Sequence, residues 1–190
     1  KLGYEFDLFM KRKDTFSFGV CNGCQLMVKM GIYGNKLKLV ENDSKRFESR
    51  FSTVQVRNEN NIFFKNMKNV VFGIWVAHGE GRFVMPTSEE LDRLASNHQL
   101  TVRYVDPLAP HGEGIQDEPL PFPISPNGSM RNIAGICDAT GLVFGLMPHP
   151  EAFYSMWLHP EHTSMNIGDD WEGEGLQNFR NAVEYVRSQR

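Results

Sequence analysis

The chain has 190 residues, 41% of them hydrophobic, which suits one domain with a substantial core. Its 20 basic and 23 acidic side chains leave a net charge of −3, no electrostatic footprint for nucleic acid, and no apolar run is long enough to span a membrane. Three cysteines are too few for a secreted disulfide scaffold, so the expectation is free thiols in a reducing, cytoplasmic compartment.

Lys1 opens the chain with no initiator Met and no signal-peptide pattern, so the sequence reads as a piece of a longer polypeptide. Over residues 1–13, Leu2, Phe6, Phe9 and Met10 recur at near-helical spacing and predict a short amphipathic helix. "TFSFGV" alternates as a strand, and "NGCQLMVKMG" switches to helical spacing through Leu26, Met27 and Met30, with Gly31 as C-terminal cap. "RFSTVQVR" and "VVFGIWVAHGEGRFVM" predict strands, the second interrupted at the His78–Gly79–Glu80–Gly81 turn. Thr87 and Glu90 stand at capping-box spacing before a helix that buries Leu91, Leu94 and Ala95. "LTVRYVD" is a strand, residues 106–129 form a long Pro- and Gly-rich loop, and "NIAGICDATGLVFGLMPHPE" predicts two strands around a turn. The last helix, "GLQNFRNAVEYVRS", is expected to bury Leu176, Phe179, Val183 and Val186. Strands and helices in this mixture predict a layered α/β domain.

The densest chemistry lies where the first strand turns into a helix. Gly19–Val20–Cys21–Asn22–Gly23 fits the nucleophile-elbow pattern G-x-S-x-G with Cys in place of Ser. The reactive residue there has a strained backbone, and small residues two before and two after it remove clashes with neighbouring strands. A helix N-terminus favours the thiolate of Cys21, and the Asn22 backbone N–H is placed to donate to an oxyanion. Cys24 falls one turn on and packs as a small apolar group. A redox C-x-x-C also sits at a helix start after a strand, so this stretch alone leaves that alternative open. Structural zinc is the weakest alternative, because Cys137 stands alone and only His159 and His162 form another close pair.

A nucleophilic thiolate needs a base and a group to orient the base. After the strand ending near Met147, Pro148 and Pro150 hold the chain extended around His149, so His149 and Glu151 point the same way and reach one site. In isolation they would be a surface His and Glu; coupled to an elbow Cys they complete a triad. His78 lies at a strand end beside two glycines, a setting for pocket lining or for a plain turn. His98 falls on the predicted helix, at its surface or at the core edge, and His111, His159 and His162 fall in polar loops where solvation is the default.

G-x-C-x-G-x-Q (Gly19, Cys21, Gly23, Gln25) with the later P-H-P-E (Pro148 to Glu151) resembles a class I, triad-type glutamine amidotransferase. "GVCNGCQLM", "RFESRF", "AHGEGR", "SPNGSMRNIAGICDATGLVFGLMPHPE" and "FRNAVEYV" resemble more narrowly the glutaminase domains of phosphoribosylformylglycinamidine synthases, over most of the chain from Asp14 onward. The resemblance implies a flavodoxin-like, three-layer α/β sheet with helices on both faces, N-terminally incomplete. It implies Cys21 as nucleophile, His149 as base and Glu151 as its carboxylate partner, with Gln25, His78, Gly79 and Glu80 lining the glutamine pocket. It implies no metal and no cofactor in this domain. Glutamine is the substrate, and a synthetase region of the same parent enzyme, outside this chain, uses ATP, Mg and formylglycinamide ribonucleotide. Two departures stand out. The family's glycine-rich loop, which supplies a second oxyanion N–H, would precede Lys1, so an exposed sheet edge and weak activity are expected of this piece. The arginine that usually follows P-H-P-E is replaced by Ala152–Phe153. Two other outcomes remain compatible with these residues: a cysteine-triad hydrolase acting on another amide, or a catalytically silent packing domain.

Overall fold

Along the central strands, side chains alternate between two faces. Val102, Tyr104, Ala134, Phe144 and Leu146 enter one buried cluster, and Leu100, Ile133, Ile136, Val143 and Met147 enter a second. The computed structural model describes residues 2–109, 118–168 and 170–189; His111 and the centre of the Pro-rich loop lie outside them. In chain order the elements are α1 (Leu2–Met10), β1 (Ser17–Val20), α2 (Asn22–Lys29), β2 (Lys38–Val40), β3 (Glu48–Val56), β4 (Val71–His78) and β5 (Arg82–Val84). They continue with α3 (Ser88–Ser96), β6 (Leu100–Tyr104), β7 (Ile133–Cys137), β8 (Val143–Leu146) and α4 (Leu176–Ser188). Six strands form a sheet of order β1-β8-β7-β6-β3-β4, in which β1 and β8 are parallel and every other pair is antiparallel. β2 and β5 make a separate two-stranded sheet. Ala182 of α4 joins the first cluster, while Cys24, Met27 and Val28 of α2 and Leu91 and Leu94 of α3 join the second. This is the expected α/β sandwich, with helices on both faces. No described helix is long and apolar enough to cross a membrane.

The sheet curls. β4 is an edge strand, yet the His149 N–H, just past β8, donates to the Trp75 carbonyl of β4 at 2.8 Å. The ends of β1, β4 and β8 are thereby drawn to one place. β1 has only four residues and a strand on one side, so its backbone pairing is thin. Aromatic packing holds it: Phe18 lies 4.8 Å from Phe63 and 5.3 Å from Phe144, centroid to centroid, and Phe16 lies 5.7 Å from Phe63. Such pairs contribute about 0.5–1.5 kcal/mol each beyond their area burial, comparable to the net value of one hydrogen bond. At the β7–β8 turn Gly141 has φ +73°, and a Cβ there would press on the backbone of Asn60 and Asn61.

Three details differ from the sequence patterning. α4 turns Asn178, Asn181 and Ala182 inward, and leaves Phe179, Val183 and Val186 at 37%, 50% and 38% exposure. The cause is the loop before β4, which presents carbonyls to the helix: Asn181 Nδ2 donates to Phe63 O at 2.9 Å and Lys65 O at 3.2 Å. A donor is needed on that face, and an apolar side chain has none. In α1, Phe6 and Phe9 remain exposed, and Met10 packs on the core. Thr87 does begin α3, but its hydroxyl makes no cap bond, and Glu90 pairs with Lys36 instead.

Candidate active site

Cys21 occupies the turn between β1 and α2 with φ +49° and ψ −103°, a backbone conformation that costs a non-glycine residue about 1–3 kcal/mol. Hydrogen bonds on both sides hold it there. The Cys21 N–H donates to Leu146 O at 2.8 Å, extending the β1–β8 pairing, and the Gln25 N–H donates to Cys21 O at 2.9 Å, starting α2. A Cβ on Gly19 would sit 2.7 Å from both the Gly23 carbonyl carbon and Met27 Sδ, so position 19 admits only glycine. At Gly23 an added Cβ would meet nothing within 4 Å, so the clash expected there is absent. Gly23 matters as the backbone that presses on Gly19.

Cys21 is partly exposed, and its sulfur lies 3.7 Å from the Ala77 carbonyl, at the end of β4. The Asn22 N–H stands in the first turn of α2, where intrahelical acceptors are absent. His149 is anchored through its N–H to Trp75 O, and its Nδ1 meets Glu151 Oε1 at 2.6 Å. Glu151 reaches the ring by a different route from the extended one expected. Pro150, with its preset φ, begins a 3₁₀ turn over Pro150–Phe153, and that turn folds the carboxylate back onto the imidazole. Nε2 is buried, makes no hydrogen bond of ordinary geometry, and faces the Cys21 sulfur. The interaction with Cys21, then that with Glu151, outweighs desolvation and raises the His149 pKa to about 9. At neutral pH the ring is therefore an imidazolium between sulfur and carboxylate.

Residues 78–81 close the other side. All four carbonyls of this turn are engaged by the protein: His78 O by Asn42 Nδ2 (2.8 Å), Gly79 O by the Asn42 N–H (2.9 Å), Glu80 O by Gln25 Nε2 (2.9 Å) and Gly81 O by Asn127 Nδ2 (2.8 Å). Gln25 thus braces the turn from the nucleophile's own helix. The Glu80 side chain is exposed, and beside it runs a cleft of about 580 Å³ lined by Asn22, Gln25, Leu26, Lys29, Leu39 and Glu80. His159 and His162 stay apart from this site. His159 stacks edge-on against Phe51 at 4.9 Å, and His162 packs near Trp157 at 6.2 Å. Among the described residues no three His, Cys, Asp or Glu side chains are grouped to hold a metal ion.

Residues 1–186 match the family described as the CobB/CobQ-like glutamine amidotransferase domain. The chain belongs to this family. Among relatives of this amidotransferase domain, the phosphoribosylformylglycinamidine synthase of Drosophila melanogaster is 39% identical over 165 residues, covering 82% of this chain and 12% of the fly protein. The phosphoribosylformylglycinamidine synthase subunit PurQ of Archaeoglobus fulgidus is 38% identical over 183 residues, covering 88% of this chain and 62% of the subunit. The structure of PurLQS from Thermotoga maritima superposes with a TM-score of 0.69 at 25% identity, covering 98% of this chain and 68% of that one. The chain therefore spans a small part of the long synthases and under two thirds of the free-standing subunit.

Three parts of this candidate site were invisible in the sequence: the Trp75 carbonyl that anchors His149, the Ala77 carbonyl at the sulfur, and Asn42 and Asn127 behind the turn. His78 lies deeper than pocket lining requires. It is 1% exposed, neither ring nitrogen has a hydrogen-bond partner among the described residues, and burial lowers its pKa from 6.5 to about 4. Between pH 6.5 and 4 the unfolded chain binds a proton at His78 that the folded domain does not, so stability falls as the pH drops through this window. The expected loss is on the order of 3 kcal/mol. In His78→Phe, which keeps a flat ring, the urea midpoint should lose that part of its acid dependence; an unaltered acid slope would refute the assignment.

Proposed function

We propose that this domain hydrolyses glutamine to glutamate and ammonia through a thioester on Cys21. The observation that carries this reading is the convergence of Cys21, His149 and Glu151, brought from β1, the end of β8 and the following turn. The Cys21 thiolate attacks the side-chain amide carbon, and the Asn22 N–H donates to the oxyanion that forms. The His149 imidazolium gives its proton to the leaving nitrogen as the C–N bond breaks and ammonia departs. With the sulfur acylated, the largest contribution to the raised His149 pKa is gone, so the neutral imidazole accepts a proton from the attacking water. The C–S bond then breaks, releasing glutamate and restoring thiolate and imidazolium. Glu151 holds Nδ1 throughout. The 78–81 turn and Gln25 frame the substrate's amino-acid end.

We take residues 1–190 as one glutaminase domain of a longer, cytoplasmic enzyme, in which three free thiols stay reduced. The fly and archaeal relatives carry the name phosphoribosylformylglycinamidine synthase, which supports a purine-pathway role. In that role the ammonia passes to a synthetase region that uses ATP and Mg to aminate formylglycinamide ribonucleotide. The test is a coupled assay with glutamine, ATP, Mg, formylglycinamide ribonucleotide and a glutaminase-free synthetase. Glutamate and formylglycinamidine ribonucleotide should form in equal amounts and only when this chain is present. Release of product from other amides but not from glutamine would favour a different amide hydrolase.

A further inference from the structure

The turn that frames the site owes its shape to one side chain outside it. Asn42, in the loop between β2 and β3, is 0% exposed. Its Oδ1 accepts the Gly81 N–H at 3.0 Å, its Nδ2 donates to His78 O at 2.8 Å and to Arg46 O at 2.9 Å, and its own N–H donates to Gly79 O at 2.9 Å. Three of the four turn residues are thus bonded to Asn42, His78 and Gly81 through its side-chain amide and Gly79 through its backbone N–H, and the fourth, Glu80, to Gln25 of the nucleophile's helix. The bond to Arg46 also closes the loop on itself, where Lys45 takes φ +56°.

We infer that Asn42 is a positioning residue that holds the 78–81 turn in the shape glutamine recognition needs. The inference rests on the glutaminase reading of the site. Only an amide meets the demand at position 42, because the turn offers one donor (Gly81 N–H) and one acceptor (His78 O) to the same buried side chain, and the loop's own Arg46 carbonyl a second acceptor. An aspartate would serve the Gly81 N–H and set a carboxylate against two carbonyl oxygens. An alanine would leave one N–H and two carbonyls unpaired in a dry place, which a backbone relieves by moving. Residue 42 touches no reacting atom, so its loss should act on recognition and spare the thiol.

The experiment compares two labelling rates at Cys21 in the whole chain, one with a glutamine-shaped chloroketone and one with iodoacetamide. In Asn42→Ala the chloroketone rate should fall about tenfold or more while the iodoacetamide rate holds. Asn181→Ala, which removes a buried amide of α4 bonded to the loop around Phe63, should lower stability and leave the ratio of rates alone. If Asn42→Ala does not fold, Asn42→Asp, which keeps the acceptor for Gly81, should shift the ratio in the same direction. An unchanged ratio in the Asn42 variants, or an equal shift in Asn181→Ala, overturns the inference. Should the wild-type chain show no preference for the chloroketone, the glutaminase reading itself fails, and amide exchange at residues 79–81 still decides on Asn42. Exchange there should quicken in Asn42→Ala, and unaltered exchange would remove its role in the turn.

Discussion

Cys21→Ala is expected to abolish glutamine hydrolysis, with a loss on the order of 10⁶-fold, because no covalent intermediate can then form. The same residue should account for all rapid labelling by a glutamine-shaped electrophile, although two other free cysteines are present. Cys24 is 0% exposed, and burial pushes its thiol pKa well up; Cys137 is 1% exposed and its thiol is likewise raised by burial. Neither offers an accessible thiolate. Cys21 alone is partly open, with the His149 imidazolium facing its sulfur. Peptide mass spectrometry after brief labelling, with and without excess glutamine, checks the selectivity. Equal modification of all three cysteines, or hydrolysis persisting in Cys21→Ala, would remove the thioester from the mechanism. A redox role for the C-x-x-C pair predicts a different result, a reversible Cys21–Cys24 disulfide under oxidant.

The parts of this site legible in the sequence are those fixed by near neighbours. Gly19 lies two residues from Cys21, Gln25 four residues from it, and Glu151 two residues from His149, so spacing alone brought each candidate pair within reach. What spacing could not show is which backbone stands opposite. The Ala77 carbonyl at the sulfur is 56 residues away, and Asn42 is 36 and 39 residues from the turn atoms it holds. Such contacts exist only after the sheet has curled. α4 failed for a related reason. Its apolar positions were visible, but the face it buries is decided by the carbonyls of the loop around Phe63 and Lys65, which demand Asn181. Even at the elbow the steric demand proved one-sided, since Gly23 has open space where Gly19 has none.

His149→Asn should cost about 10²–10⁴-fold in glutamine turnover, the usual worth of a positioned acid–base group. Glu151→Gln should cost less, about tenfold to a hundredfold, because the ring keeps its backbone anchor at Trp75 and loses a carboxylate that is itself half exposed. The two variants differ more sharply in their pH dependence. In the wild type, acylation requires the imidazolium, so its rate falls as the pH rises through about 9. Removing the Glu151 carboxylate removes a smaller part of what raises that pKa, and the contribution of Cys21 remains. The alkaline limb in Glu151→Gln should therefore move to lower pH without reaching the value of a free imidazole. In His149→Asn that limb should vanish. Single-turnover acylation measured from pH 6 to 10 decides the matter. If Glu151→Gln keeps the wild-type limb, the carboxylate only orients the ring, and the charge on His149 is set by the sulfur alone.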